Sequence, residues 1–134
     1  MKRLVSVTFL LIALIVGVSG LNIIIAPIGF NALIDDFRGA VVRGDAAAVR
    51  ALAFEPDAAQ IWETLRSRNV DKAREVVMRG GGYSTSTWFG QMVGYTNLTA
   101  RLPDGTSVLF RIDLIRGFII FGQGWRIKSA TVDQ

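Results

Sequence analysis

The chain begins with a long apolar run, since residues 4–34 contain no charged side chain. A bilayer core about 30 Å thick requires ~20 apolar residues in a helix, and Leu4–Ala26 would extend for about 34 Å at the helical rise. The run therefore predicts a transmembrane helix. Val18-Ser19-Gly20 is a possible signal-peptidase site, but the apolar character continues past it, which favours an uncleaved signal-anchor. We expect an N-terminal membrane anchor over residues 1–29 and one domain over residues 30–134.

The charges on either side of this run predict its orientation. Lys2 and Arg3 precede the run, whereas Asp35 and Asp36 are the first charges after it. The positive-inside rule then predicts a single-pass membrane protein with a cytoplasmic N-terminus and an extracytoplasmic C-terminal domain. Pro27 is expected to interrupt the helix near the far interface.

After the run, apolar residues recur first at helical spacing. The pattern predicts helices over residues 30–43 and 46–54, separated by Gly44 as a C-cap and Asp45 as an N-cap. A third helix is expected to begin at Pro56. Its apolar stripe consists of Ala58, Ile61, Trp62 and Leu65.

The pattern then changes to a strand pattern. A short helix is expected over residues 70–77 behind Asn69, and Gly80-Gly81-Gly82 reads as a turn. From Tyr83 onward apolar and polar residues alternate, which is typical of strands. The predicted strands cover residues 83–89, 92–102, 108–121 and 125–130, with a bulge at Gly117 and a hairpin turn at Pro103-Asp104-Gly105. Helices followed by antiparallel strands predict an α+β fold, with the helices packed on a curved, cone-like antiparallel sheet.

Alternation along the strands assigns residues to two faces of this sheet. The inward face is apolar and contains Met92, Leu98, Ala100, Phe110, Ile112, Leu114, Trp125 and Ile127. The outward face is polar and partly basic, and it supplies a possible interaction face made of Tyr95, Arg101, Leu109, Arg111, Asp113, Arg126 and Lys128. The alternative is a solvated face whose charges form weak cross-strand pairs. A register error of one residue would turn Tyr95 and Asp113 inward.

Composition removes several classes of function. The chain contains no His and no Cys, which excludes the commonest neutral-pH acid–base group and cysteine-based metal sites. Lys2 and Arg3 account for part of the net charge of +4, and the remaining charges are mixed in sign. Nucleic-acid binding usually needs a clustered basic face, so we expect no nucleic-acid partner. We also expect no metal, no cofactor and no catalytic residue.

Two groups of residues resemble a known superfamily. Ala40-Val41-Val42-Arg43-Gly44-Asp45-Ala46 and the residues up to Leu52 resemble the helix–Gly-Asp–helix opening of the nuclear-transport-factor-2-like (cystatin-like) superfamily. Leu102-Pro103-Asp104-Gly105-Thr106, the following strand and Gly124-Trp125-Arg126-Ile127 resemble its last two strands. The resemblance implies a sheet wrapped around a cone, which in enzymatic members contains a carboxylate, Tyr or His. The inward positions here contain none of these, so no catalytic residue is carried over.

These observations favour a non-enzymatic, membrane-anchored extracytoplasmic interaction or accessory module. It would contact the membrane through residues 4–26, bind a protein partner and possibly form a homodimer. A small apolar-ligand or lipid binder is the first alternative, and it predicts an empty apolar cavity of ~300–1,000 Å3. An isomerase or cyclase that uses Tyr95 or Asp113 is the second. Tyr83, Trp88 and Phe89 are expected to be strand and core residues, and an alternative partner site is the other interpretation of these aromatics.

Overall fold

The computed structural model describes residues 1–54, 57–84, 92–117 and 124–133, with the side chains of residues 19, 22 and 23 excepted. Within these ranges three α-helices precede four β-strands. The helices are α1 (Lys2–Val42), α2 (Ala46–Ala51) and α3 (Ala58–Ser67), and a single 3₁₀ turn follows at Val70–Lys72. The strands are β1 (Glu75–Tyr83), β2 (Met92–Arg101), β3 (Ser107–Arg116) and β4 (Trp125–Val132).

Helix α1 is continuous and has two different halves. The helix passes through Pro27 without ending, so the predicted interruption there is wrong. From Ala26 onward one stripe of the helix is buried in the domain core and includes Phe30, Ile34 and Phe37. Before Ala26 most of the large apolar side chains that the structure describes are exposed, as at Phe9, which is 74% exposed. The predicted domain boundary at residues 29 and 30 falls inside this helix.

The transmembrane interpretation requires correction. Within the described ranges, no helix combines the length and the apolar character needed to cross a membrane. This finding contradicts the predicted transmembrane helix over Leu4–Ala26 and the signal-anchor. From Ala26 onward, buried apolar residues of the run pack in the domain core and are not available to a lipid-facing surface. Ala26 itself is fully buried, and its carbonyl oxygen accepts a hydrogen bond from Trp125 Nε1 at 2.9 Å.

Caps and turns connect the helices much as the sequence predicts. Gly44 has a φ of +65°, which suits the end of α1. The Asp45 carboxylate accepts a hydrogen bond from the Ala48 N–H at 3.0 Å and caps α2. Beyond α2, Ala53 forms a short parallel bridge with Ile127, so the helix end covers the outer edge of β4. The stripe of α3 is buried as predicted: Ala58, Ile61, Trp62 and Leu65.

The four strands form one antiparallel sheet in the order β1-β2-β3-β4. One face, the inner face, packs against the helices, and the opposite face is the outer face. All eight residues predicted to point inward are buried, with exposed fractions between 0 and 4%. The pairing of Leu98 with Phe110 places two of them side by side in the core. The α+β part of the predicted fold, with helices over an antiparallel sheet, is confirmed.

The predictions between residues 70 and 90 are less accurate. The helix expected over residues 70–77 is only one 3₁₀ turn, because β1 begins at Glu75. The glycine triplet lies inside β1 rather than in a turn. At Gly81 a Cβ atom would overlap the Tyr95 carbonyl oxygen, so the close pairing of β1 with β2 requires a glycine there. The predicted strand over residues 85–89, with Trp88 and Phe89, and the extension over residues 118–121 lie outside the described residues.

Candidate functional site

The candidate site is a pocket of about 670 Å3 on the outer face of the sheet. Its volume is within the usual range for ligand pockets, ~300–1,000 Å3. All four strands contribute to its lining, which includes Gly82, Val93, Tyr95, Arg111, Asp113, Lys128 and Ser129. We call it the outer-face pocket.

A network of polar side chains forms one wall of this pocket. Arg111 donates from Nε and Nη2 to Asp113 Oδ1 at 2.9 and 2.8 Å. The Ser129 hydroxyl donates to Asp113 Oδ2 at 3.2 Å, so both carboxylate oxygens have partners. The Arg111 guanidinium also lies 4.4 Å from the centre of the Tyr95 ring, which is a cation–π distance. The four side chains hold one another in a fixed arrangement.

A β-bulge determines which residues of β4 reach the pocket. Asp113 pairs with Ser129 and Leu114 pairs with Ile127, so Lys128 is an extra residue without a partner on β3. The bulge leaves Lys128 at the pocket and brings Ser129 to the outer face, while Ala130 packs against the core. Strict alternation from Trp125 would have placed Ser129 inward. No residue type in β4 signals the bulge, which is why sequence reasoning missed Ser129.

A second bulge shapes β1. The pairing of Met78 with Leu98 and of Gly80 with Asn97 makes Arg79 the extra residue. Arg79 Nε donates to Thr99 Oγ1 at 3.1 Å, and this contact holds its side chain on the outer face. Bulges commonly change the direction of side chains near functional sites. Here each outermost strand of the sheet contributes a cation at its bulge.

The structure brings together only part of the predicted interaction face. Tyr95, Arg111, Asp113 and Lys128 line the pocket, and Leu109 is exposed on the same face at 47%. Arg101 forms an ion pair with Glu75 at 2.9 Å, about 13 Å along the strand from Arg111. Arg126 Nη1 donates to the Ala51 carbonyl oxygen at 2.7 Å and therefore supports the end of α2.

The inner side of the sheet is packed with side chains. Phe30, Tyr83 and Trp125 form an aromatic cluster with ring centres 5.2–5.8 Å apart. Arg116 is 5% exposed near this cluster, and burial lowers the pKa of its guanidinium. An arginine stays protonated in proteins and is a poor acid–base group. Tyr95 and Asp113, the residues of the isomerase alternative, lie on the outer face.

A metal site receives no support from the part of the chain that the structure describes. In those ranges no three His, Cys, Asp or Glu residues are grouped closely enough to hold a metal ion. The Asp113 carboxylate is already engaged by Arg111 and Ser129. The side chains of the outer-face pocket offer charge, hydrogen bonds and aromatic contact to a ligand.

Comparison with known proteins gives information on the fold only. No protein-family model matches the chain, and no curated protein matches it. Among solved structures, the fold is similar to that of Rv3472, a protein of unknown function from Mycobacterium tuberculosis. The TM-score is 0.53 at 15% identity, over 81% of this chain and 71% of the other. The similarity supports the arrangement of helices over an antiparallel sheet.

Proposed function

We propose that this protein is a non-enzymatic interaction module with a nuclear-transport-factor-2-like fold, and that the outer face of its sheet binds a protein partner. The order of elements and the helix–Gly-Asp–helix opening support the fold assignment. The packed inner face supports an interaction module over an enzyme or an apolar-ligand carrier that would use the cone. Both alternatives need accessible space beside the inward residues, which are at most 4% exposed.

One observation carries the proposal. The outer face presents the linked group Tyr95, Arg111, Asp113 and Ser129, already ordered by contacts within the face. Side chains that are ordered before binding lose less conformational entropy when a partner docks. Aromatic and arginine side chains are also the residues that most often dominate binding energy.

The chemistry of this face also defines the partner. Val93 and Leu109 are exposed at 52% and 47% and provide apolar contact on either side of the polar group. Arg111 and Lys128 outnumber the single carboxylate of Asp113 in the pocket. A mixed surface of this kind suits a transient partner with an acidic contact surface, since complementary charge guides association.

Photocrosslinking tests the proposal in the full-length protein. A photoreactive residue replaces Leu109 on the outer face or, as the control, Glu63 on the exposed side of α3. We expect a discrete crosslinked partner from position 109 and none from position 63. The same partner must bind the purified protein in a separate assay.

A charge-reversal pair then tests the chemistry. Arg111→Glu with Lys128→Glu should abolish the crosslink. The control is Arg66→Glu with Arg68→Glu, which makes the same change in net charge at one exposed position in the last turn of α3 and one directly after it, and it should preserve the crosslink. Both variants must retain the melting temperature of the parent protein. Undiminished crosslinking in the first variant would refute the outer face as the binding surface.

A further inference from the structure

The outer-face pocket contains an open space above Gly82. Gly82, Tyr95, Asp113 and Ser129 lie opposite one another in a row across the four strands. An aromatic side chain opposite a glycine in a sheet can cover the exposed backbone. Here the Tyr95 ring contacts Arg111 instead. Apart from Gly82 and its two chain neighbours, no atom of the described residues lies within 4 Å of where a Gly82 Cβ would stand.

The fold does not explain this glycine. Gly82 has no positive φ and no close neighbour among the residues that the structure describes, so a side chain would fit beside them without strain. Gly81 and Gly94 differ, because a Cβ at Gly81 would meet the β2 backbone and a Cβ at Gly94 would approach Phe30 Cε2 at 2.9 Å. A glycine inside a strand weakens it unless something approaches the backbone closely. The open side of Gly82 faces the outer-face pocket.

The charges of the pocket define which charged group a ligand would carry. Asp113 is neutralised by Arg111, and both of its oxygens accept hydrogen bonds. Lys128 belongs to none of the ion pairs found among the described residues, which join Arg38 to Asp35, Arg101 to Glu75 and Arg111 to Asp113. A smaller cleft is also lined by Lys128 and contains Asp57, but no ion pair joins Asp57 to Lys128 among the described residues. One positive charge is therefore available to a ligand in the pocket.

We propose that the outer-face pocket binds a flat aromatic monoanion. Its ring system lies over the bare backbone of Gly82 and against Val93, and its anionic group is bound by Lys128 and by the remaining N–H groups of Arg111. The row from Gly82 to Ser129 covers about 14 Å, given strand spacings of ~4.8 Å. A molecule of two fused rings with one carboxylate fits within that distance. This ligand site goes beyond partner binding and is tested without any partner.

The test is an NMR titration of the full-length protein with 2-naphthoate. We expect saturable shifts of the amide signals of Gly82, Val93 and Lys128. Lys128→Met should raise the dissociation constant at least tenfold. Gly82→Val should do the same, because it occupies the space above the backbone. Gly80→Val is the matched control, since Gly80 shares the strand, the outer face and the open surroundings but does not line the pocket. It should bind like the parent protein.

Several outcomes would overturn this site. They are the absence of saturable binding at millimolar 2-naphthoate, shifts confined to other residues, and equal affinity in the Gly82→Val and Gly80→Val variants. Inorganic phosphate is titrated separately, and equal affinity for phosphate would refute the aromatic part of the proposal. Naphthalene-2-carboxamide, which has no charge, should bind at least tenfold more weakly. If Gly82→Val does not fold, the dissociation constant of the Lys128→Met variant for 2-naphthoate is the test of the site.

Discussion

Trp125 connects three elements, and its replacement by Ala is the sharpest test of the core. The indole is 4% exposed and its ring centre lies 5.2 Å from Phe30 and 5.8 Å from Tyr83. Its Nε1 donates to the Ala26 carbonyl oxygen at 2.9 Å. Truncation of a buried Trp costs about 3–5 kcal/mol, because burial is lost and a cavity remains. This is a large part of the ~5–15 kcal/mol that stabilises a typical domain.

Thermal and chemical unfolding of the full-length chain measure this loss. At about 4 °C per kcal/mol, we expect Trp125→Ala to lower the melting temperature by about 12–20 °C. Trp125→Phe retains the ring contacts but not the hydrogen bond to Ala26, so it should cost about 1–2 kcal/mol. Leu109→Ala, an exposed position, should change stability by less than about 0.5 kcal/mol. An unchanged melting temperature in Trp125→Ala would refute the placement of this strand face against α1.

Three further predictions concern local contacts. Gly94→Ala should destabilise the domain by about 1–3 kcal/mol in urea unfolding, because its Cβ would displace the Phe30 ring. Asp45→Ala should cost about 0.5–2 kcal/mol in the same assay through loss of the α2 cap. Hydrogen bonds from the Thr106 hydroxyl and N–H lower the pKa of Asp104, so Thr106→Val should raise that pKa, measured by NMR titration, while the N–H bond keeps it below its ordinary value. A folded-state pKa that is lowered stabilises the fold above the unfolded-state pKa, and this contribution should be lost as pH falls through the folded-state value.

The period of the apolar residues was sufficient to predict the core. Phe110, Ile112 and Leu114 alternate with Arg111 and Asp113, and only one register buries the first set while leaving the charges in water. The cost of burying an unpaired charge makes this choice strongly determined. The capping residues were predicted for a similar reason, because Asp45 satisfies a helix N–H that would otherwise lack a partner.

Features that depend on pairing between distant strands could not be predicted in the same way. The bulges at Arg79 and Lys128 are register shifts of one residue between two paired strands. The sequence of either strand alone does not indicate such a shift. The glycine triplet was misread for a related reason. Three glycines usually mark a turn, and only the close approach of Tyr95 on the neighbouring strand explains Gly81.

The apolar run at the N-terminus illustrates a limit of hydropathy. A lipid-facing helix and a helix that packs on a sheet both require apolar residues, so composition alone does not separate the two. The structure assigns the run after Ala26 to the domain, where the Ala26 carbonyl accepts the Trp125 hydrogen bond and Phe30 contacts the ring of Tyr83.

The contacts of Phe30 and Trp125 with Tyr83 also hold the end of β1 in place. Because Gly82 directly precedes Tyr83, the aromatic cluster on the inner face fixes the position of the backbone that lines the outer-face pocket. A loss of core packing at Trp125 should therefore also weaken binding at the outer face, although Trp125 does not line the pocket.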